Sequence, residues 1–211
     1  MGDFLKREPT RSLQKPTVQT ANPPTISGKN PLVSANLIDF LNFRIQQEEA
    51  SSRLYLAMSM WLNDNGFPYA NKLWKKYSEE ELVHADWSRE YLLAMGVQPQ
   101  TAMLPAPGDT YSGLPDIIRK SFDHEITVTK QIKDLADQAW KEADHMMYQL
   151  TQQYLKEQVE EHDKMQNHID QVEAFGEDKI ALRLLDNYYE KFGAKYLETL
   201  ANNEKIYYFE I

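Results

Sequence analysis

Glu81 and His84 sit three residues apart in the stretch Ser78-Glu79-Glu80-Glu81-Leu82-Val83-His84. On a helix that spacing puts a carboxylate and an imidazole on one face, one turn apart. Tyr77, Ser88, Tyr91 and Met95 fall on the same face, so both polar groups lie on the stripe that turns inward. A buried carboxylate without a partner is costly. A bound cation removes that cost, because Glu oxygen and His nitrogen are both metal ligands. Taken alone, the pair reads more readily as a solvated or locally paired Glu and His than as a metal site. The metal reading requires further carboxylates from elsewhere in the chain.

The elements that must supply them are long helices. Leu37, Leu41, Ile45, Glu48, Ser52, Tyr55, Ser59 and Leu62 recur at three- and four-residue steps and predict a helix from Asn36 to Asn63. Asn36 or Ser34 caps it, and Asn65-Gly66 stops it. The second helix runs from Pro68, near its first turn, to Met95, with Gly96 as the stop. A connection from Val97 to Gly113 follows, broken by Pro99, Pro105, Pro107 and Gly108. It is far longer than a tight turn needs and can run the length of a bundle. The third helix, Leu114 to about Ala143, has the stripe Ile118, Phe122, Glu125, Thr129, Ile132, Ala136 and Ala139. The fourth, His145 to Phe175, has Met147, Leu150, Tyr154, Gln158, Glu161, Met165, His168 and Val172, and Gly176 ends it. Helices of about 28 residues span about 42 Å. Four of them with one long crossover predict an all-α four-helix bundle. A shorter fifth helix, about Asp178 to Phe192, is expected across one end of the bundle or at a subunit contact. Beyond Gly193, Tyr196 to Leu200 can extend that helix, and Ile206-Tyr207-Tyr208-Phe209 reads as strand-like.

Composition sets the frame. The 211 residues are 42% hydrophobic and 26% charged, with 8 Gly, which suits one helix-rich domain. The absence of Cys excludes disulfides, thiol catalysis and Cys-ligated zinc or iron–sulfur sites. A net charge of -9 argues against nucleic-acid binding and favours cations. No apolar run reaches membrane-spanning length and no secretory leader is evident, so a cytoplasmic protein is expected. Residues 1–34 differ from the rest. They hold five basic and two acidic residues, with Pro9, Pro16, Pro23, Pro24 and Pro31. That composition predicts a flexible arm, or one that docks on a neighbouring subunit or a partner. The expected division is arm 1–34, bundle domain 35–193 and tail 194–211.

Each long helix carries an acidic residue near mid-length on its inward stripe: Glu48, Glu81 with His84, Glu125, and Glu161 with Gln158. Four facing carboxylates repel if empty, and two divalent or trivalent cations neutralise them. Oxygen-rich ligation with few imidazoles suits iron or manganese. Di-iron carboxylate bundles use a Glu from each of two helices and Glu-x-x-His from each of the other two. Here the fourth helix departs from that pattern, reading Gln158-Val159-Glu160-Glu161.

Over about residues 37–192 the sequence resembles the non-haem ferritins, most closely the bacterial type. The resemblance is carried by Gln47-Glu48-Glu49-Ala50-Ser51-Ser52-Arg53-Leu54-Tyr55, Glu79-Glu80-Glu81-Leu82-Val83-His84, Asp123-His124-Glu125 and Glu157-Gln158-Val159-Glu160-Glu161. It implies Fe(II) oxidation by dioxygen or peroxide, and iron storage in a cage of roughly 24 subunits. Glu48, Glu81 and His84 would hold one iron. Glu81 would bridge to a second, held by Glu125 and Glu161 with Gln158 alongside, and Tyr55 would stand beside the site. Glu80, Glu157 and Glu160 match a third, inner iron site, and their plainer reading is a solvated acidic face. No haem is expected, and the eight Met read as packing. His124, His145, His162 and His168 read as surface or helix-flank residues. Trp61, Trp74, Trp87 and Trp140 read as core or contact residues. The alternative is a structural or cargo scaffold whose arm and tail bind a partner, with iron oxidation secondary. An oxidase acting on a small organic substrate is disfavoured, because it usually needs a second Glu-x-x-His.

Overall fold

Ser34 starts the first helix. Its hydroxyl accepts from the Leu37 amide at 3.2 Å, and α1 runs Ala35–Asp64. Asn36, the other candidate cap, instead donates to Glu142 at 2.7 Å. Gly66 takes a φ of 82°, a conformation that costs glycine nothing, and it turns the chain into α2, Pro68–Ala94. The computed structural model describes residues 32–207, with side chains for residues 32–193. Residues 1–31 of the expected arm lie outside the described residues.

Residues 95–113 form the long crossover, tied along α1 where Asn42 accepts from the Gln100 amide and Gln46 donates to the Met103 carbonyl. Leu114–Lys141 is α3 and His145–Phe175 is α4, with Asp144 capping α4 through the Met147 amide at 2.9 Å. The two hairpins α1–α2 and α3–α4 pack into the expected bundle. Tyr55, Leu62, Trp74, Ile117 and Met165 fill one end of its core, and Leu41, Ile45, Leu92, Leu135 and Met147 fill the other. Between them lies a layer of buried polar side chains from all four helices.

The fifth helix departs from expectation in length. α5 spans Lys179–Tyr207, 29 residues, so it is as long as the bundle helices. Gly193 lies inside it with helical backbone. One interior glycine costs about 1 kcal/mol, too little to stop a helix flanked by good helix formers. Ile206 and Tyr207 are helical, not strand; a short apolar run does not distinguish the two by pattern. Tyr208 and Phe209 lie outside the described residues.

α5 does pack on one end of the bundle, against α2 and α4. Asp186 is fully buried there, and its carboxylate accepts from the Tyr69 and Ala70 amides at 3.1 and 2.9 Å. The N-terminus of α2 has no side-chain cap of its own, so α5 supplies one across the interface. Asp186→Ala is expected to lower stability by about 1–2 kcal/mol and Asp186→Asn by less, read as unfolding midpoints in urea.

Candidate metal centre

The polar layer is assembled from mid-helix positions. Glu48 comes from α1, Glu81 and His84 from α2, Glu125 from α3, and Gln158 and Glu161 from α4. All six are 1–6% exposed. One ligand atom from each of Glu48, Glu81 and His84 lies within 4.8 Å of the others. His84 Nδ1 is 3.5 Å from Glu81 Oε2, and Nε2 is 3.8 Å from Glu157 Oε1. The Tyr154 hydroxyl donates to the His84 carbonyl at 2.5 Å. A carboxylate behind the second ring nitrogen is the arrangement that orients a metal-ligating histidine.

Glu48 is held from one side only. Arg44, one turn before it and 2% exposed, places Nε 2.7 Å from Glu48 Oε1. A further Arg44 nitrogen donates to Gln131 at 2.8 Å. Glu48 Oε2 is buried with no hydrogen-bond partner. A buried oxygen left unmatched is expensive, and a cation among Glu48, Glu81 and His84 matches it. The donor set therefore fits a hard or borderline divalent ion.

The other half is tied up by hydrogen bonds. Glu125 accepts from the Tyr55 hydroxyl, and from Gln158 Nε2 at 3.4 Å. Gln158 Oε1 in turn accepts from Thr129 at 2.6 Å, which fixes its amide toward Glu125. Glu161 Oε1 accepts from Lys164 Nζ at 2.7 Å. Glu80 is 3.4 Å from the same Nζ, Glu157 flanks His84, and Glu160 is exposed. Among the described residues these last three form no ligand cluster like that of Glu48, Glu81 and His84.

Charge crowding shows in the titrations. Burial, with neighbouring Glu125 and Glu48, raises the Glu81 carboxyl well above its usual range against the pull of His84. Burial and then Glu161 push Glu125 up to about 7. Burial and then Glu125 hold the Tyr55 phenol protonated, so it remains a donor. Burial alone would lower His84, but Glu157 and Glu81 outweigh it and raise the imidazole well above its ordinary value. The layer is short of positive charge.

Arg44 and Lys164 are the residues that sequence reasoning missed. The available signal was spacing: Arg44 precedes Glu48 by four residues and Lys164 follows Glu161 by three, both favourable steps on a helix. His168 needs correction. It is buried at 1% exposure, not on the surface, with Nε2 2.8 Å from the Tyr77 hydroxyl and its ring against Trp74 and Tyr189. Its position two turns beyond Glu161 keeps it on the inward stripe. His124 is also drawn inward, to Ser51 at 2.7 Å, while His145 is exposed. Trp74 is core, and Trp140 is 64% exposed.

Burial, then Lys164, lowers His168 from 6.5 to about 3. The folded state excludes a proton that the unfolded chain accepts, so stability is lost as pH falls from 6.5 toward 3. His168→Gln removes this contribution. On acidification from pH 7 to pH 4, its melting temperature is expected to fall less than that of the wild type, as followed by circular dichroism.

The family model described as a ferritin-like domain matches residues 38–175. The chain belongs to the non-haem ferritin family. It is 30% identical over 155 residues to a probable bacterial non-heme ferritin-like protein of Haemophilus influenzae, covering 74% of this chain and 94% of that one. A bacterial non-heme ferritin of Escherichia coli is 28% identical, with the same coverage. Among solved structures, an open pore ferritin from the hyperthermophilic archaeon Archaeoglobus fulgidus superposes with a TM-score of 0.72. It is 28% identical, with 74% of this chain and 96% of that one covered. The ferritin match takes in α1 to α4, and every residue of the polar layer lies inside it. No helix among the described residues is long and apolar enough to cross a membrane.

Proposed function

We propose that this chain stores iron by oxidising Fe(II) to Fe(III) at the mid-bundle carboxylates and depositing the product as mineral inside a homo-oligomeric cage of roughly 24 copies. The observation that carries the reading is the buried Glu48, Glu81 and His84 group with its unmatched Glu48 oxygen, set in a ferritin fold. Fe(II) is the substrate. Glu48, Glu81 and His84 receive one ion, and Glu81, Glu125 and Glu161, with Gln158 alongside, receive the second. Hard carboxylate oxygens hold Fe(III) better than Fe(II), so the site favours the oxidised product. Each Fe(II) gives up one electron. Two ions reduce dioxygen to peroxide with uptake of two protons, or reduce peroxide to water. Arg44 keeps Glu48 turned inward, Glu157 steadies His84, and the Tyr55 hydroxyl keeps Glu125 in place. The imidazole belongs to the first position and the second is held by oxygens, which suits a site that passes iron on. The curated relatives are named as ferritins, which supports iron storage as the role.

The test is iron retention. Full-length protein is given Fe(II) in air at many ions per chain, then separated by size. The proposal expects oxidised iron to co-migrate with a large hollow particle. Iron left as free precipitate, with protein on a small oligomer, contradicts the storage part of the proposal.

A further inference from the structure

One side of the carboxylate layer already contains a fixed positive charge. Lys164 is 9% exposed, a degree of burial that lysine adopts almost only when paired. Its Nζ is 2.7 Å from Glu161 Oε1 on α4 and 3.4 Å from Glu80 Oε2 on α2, and it stands 4.3 Å from the centre of the Tyr77 ring. The ammonium thus bridges two helices through two carboxylates and an aromatic face, each a favourable partner for a compact cation.

The two halves of the layer differ in what their internal cation does. Arg44 occupies one oxygen of Glu48 and leaves the other unmatched, so Glu48 is oriented and remains open to an ion. Lys164 sits at hydrogen-bond distance from Glu161 and also contacts Glu80. A metal ion on Glu161 must share that carboxylate with an ammonium or displace it, and two cations that close repel in a dry site. We propose that Lys164 is a tethered cation standing where a metal ion would bridge Glu161 and Glu80. It confines stable metal binding to Glu48, Glu81 and His84, and makes occupancy of the Glu125 and Glu161 position transient. The inner position built on Glu80, Glu157 and Glu160 is closed by the same contact. This inference rests on the reading of the layer as an iron site and adds which half retains its ion.

The experiment is an anaerobic titration of iron-free, full-length protein with Co(II), read by visible absorption and by calorimetry. Wild type is expected to bind one ion per chain tightly and a second at least about tenfold more weakly. Lys164→Met is expected to bind its second ion at least about tenfold more tightly than wild type does. Lys164→Arg, which keeps the charge, is expected to behave as wild type. Circular dichroism and particle size verify that each variant folds. If Lys164→Met does not, Lys164→Gln carries the comparison, because it keeps a donor near Glu161 without the charge. Equal affinity for two ions in wild type, or a second ion no tighter in the charge-free variant, overturns the proposal. Absence of any tight ion in wild type, with Glu48→Gln indistinguishable from it, overturns the iron-site reading itself, and the role of Lys164 with it.

Discussion

Glu81→Gln is expected to slow Fe(II) oxidation by at least about 100-fold while leaving the bundle folded. The side chain stands between the two halves of the polar layer. It is 4% exposed, its oxygen lies 3.5 Å from His84, and its titration responds to both Glu125 and Glu48. Removing its charge weakens both ion positions together. Changes to the outer partners of a metal site already cost about 10–100-fold, so loss of a shared inner carboxylate sets a larger lower bound. The amide keeps the size of the carboxylate, and circular dichroism should be unchanged. Stopped-flow absorbance at equal iron loading checks the rate. A variant that oxidises iron within a factor of about three of wild type would remove Glu81 from the account.

The second large effect includes a gain in stability. Glu125→Gln is expected to stabilise the iron-free protein while impairing oxidation. Burial and the Glu161 charge push the Glu125 carboxyl from 4.5 to about 7. The folded state therefore binds a proton more readily than the unfolded chain. The stabilisation from that proton is full below about pH 4.5 and is lost as pH rises through about 7. At neutral pH the wild-type chain has lost most of it, a cost on the order of 2 kcal/mol. Gln carries no charge to repel Glu161 and still accepts from Tyr55, at the loss of the long 3.4 Å hydrogen bond that Gln158 Nε2 donates to the other oxygen. For a chain of this size the gain corresponds to roughly 5 °C in melting temperature. The difference should shrink as pH is lowered toward 4.5. An unchanged or lower melting temperature at pH 7 in metal-free buffer would show that the layer is not strained by its own charge. Stability given up to keep carboxylates together is expected where function depends on them.

Most of the scaffold was legible in the sequence, because a bundle is written in period and punctuation. Asp144 before His145 and Gly176 after Phe175 bracket α4, and the observed helix has those bounds. Pro68 and Gly96 did the same for α2 to within a residue. The inward carboxylates were visible as interruptions of apolar stripes. What was illegible depends on partners that period does not reveal. Lys164 and Arg44 look like ordinary solvated charges, since long basic side chains usually reach water. Only the cross-helix geometry shows Lys164 reaching Glu80, or Arg44 anchored on Gln131. His168 falls on the inward stripe of α4, and reads as surface or helix-flank only because histidine as a residue type is intermediate in burial. Its burial follows from the Tyr77, Trp74 and Tyr189 pocket that α5 completes. The length of α5 was underestimated because Gly193 interrupts the pattern, whereas a glycine ends a helix in the left-handed conformation only where its φ turns positive. Gly66, Gly96 and Gly176 have positive φ; Gly193 stays helical.

The most direct test of the central claim is the initial rate of Fe(II) oxidation in air by purified, iron-free, full-length wild-type protein, measured against protein-free buffer. The account predicts a rate many times the buffer rate, rising with protein concentration and accompanied by oxygen or peroxide consumption. A rate equal to the buffer background, with the protein folded and assembled, would contradict it. It would leave the carboxylate layer as a structural feature and the arm and tail as the place to look for function.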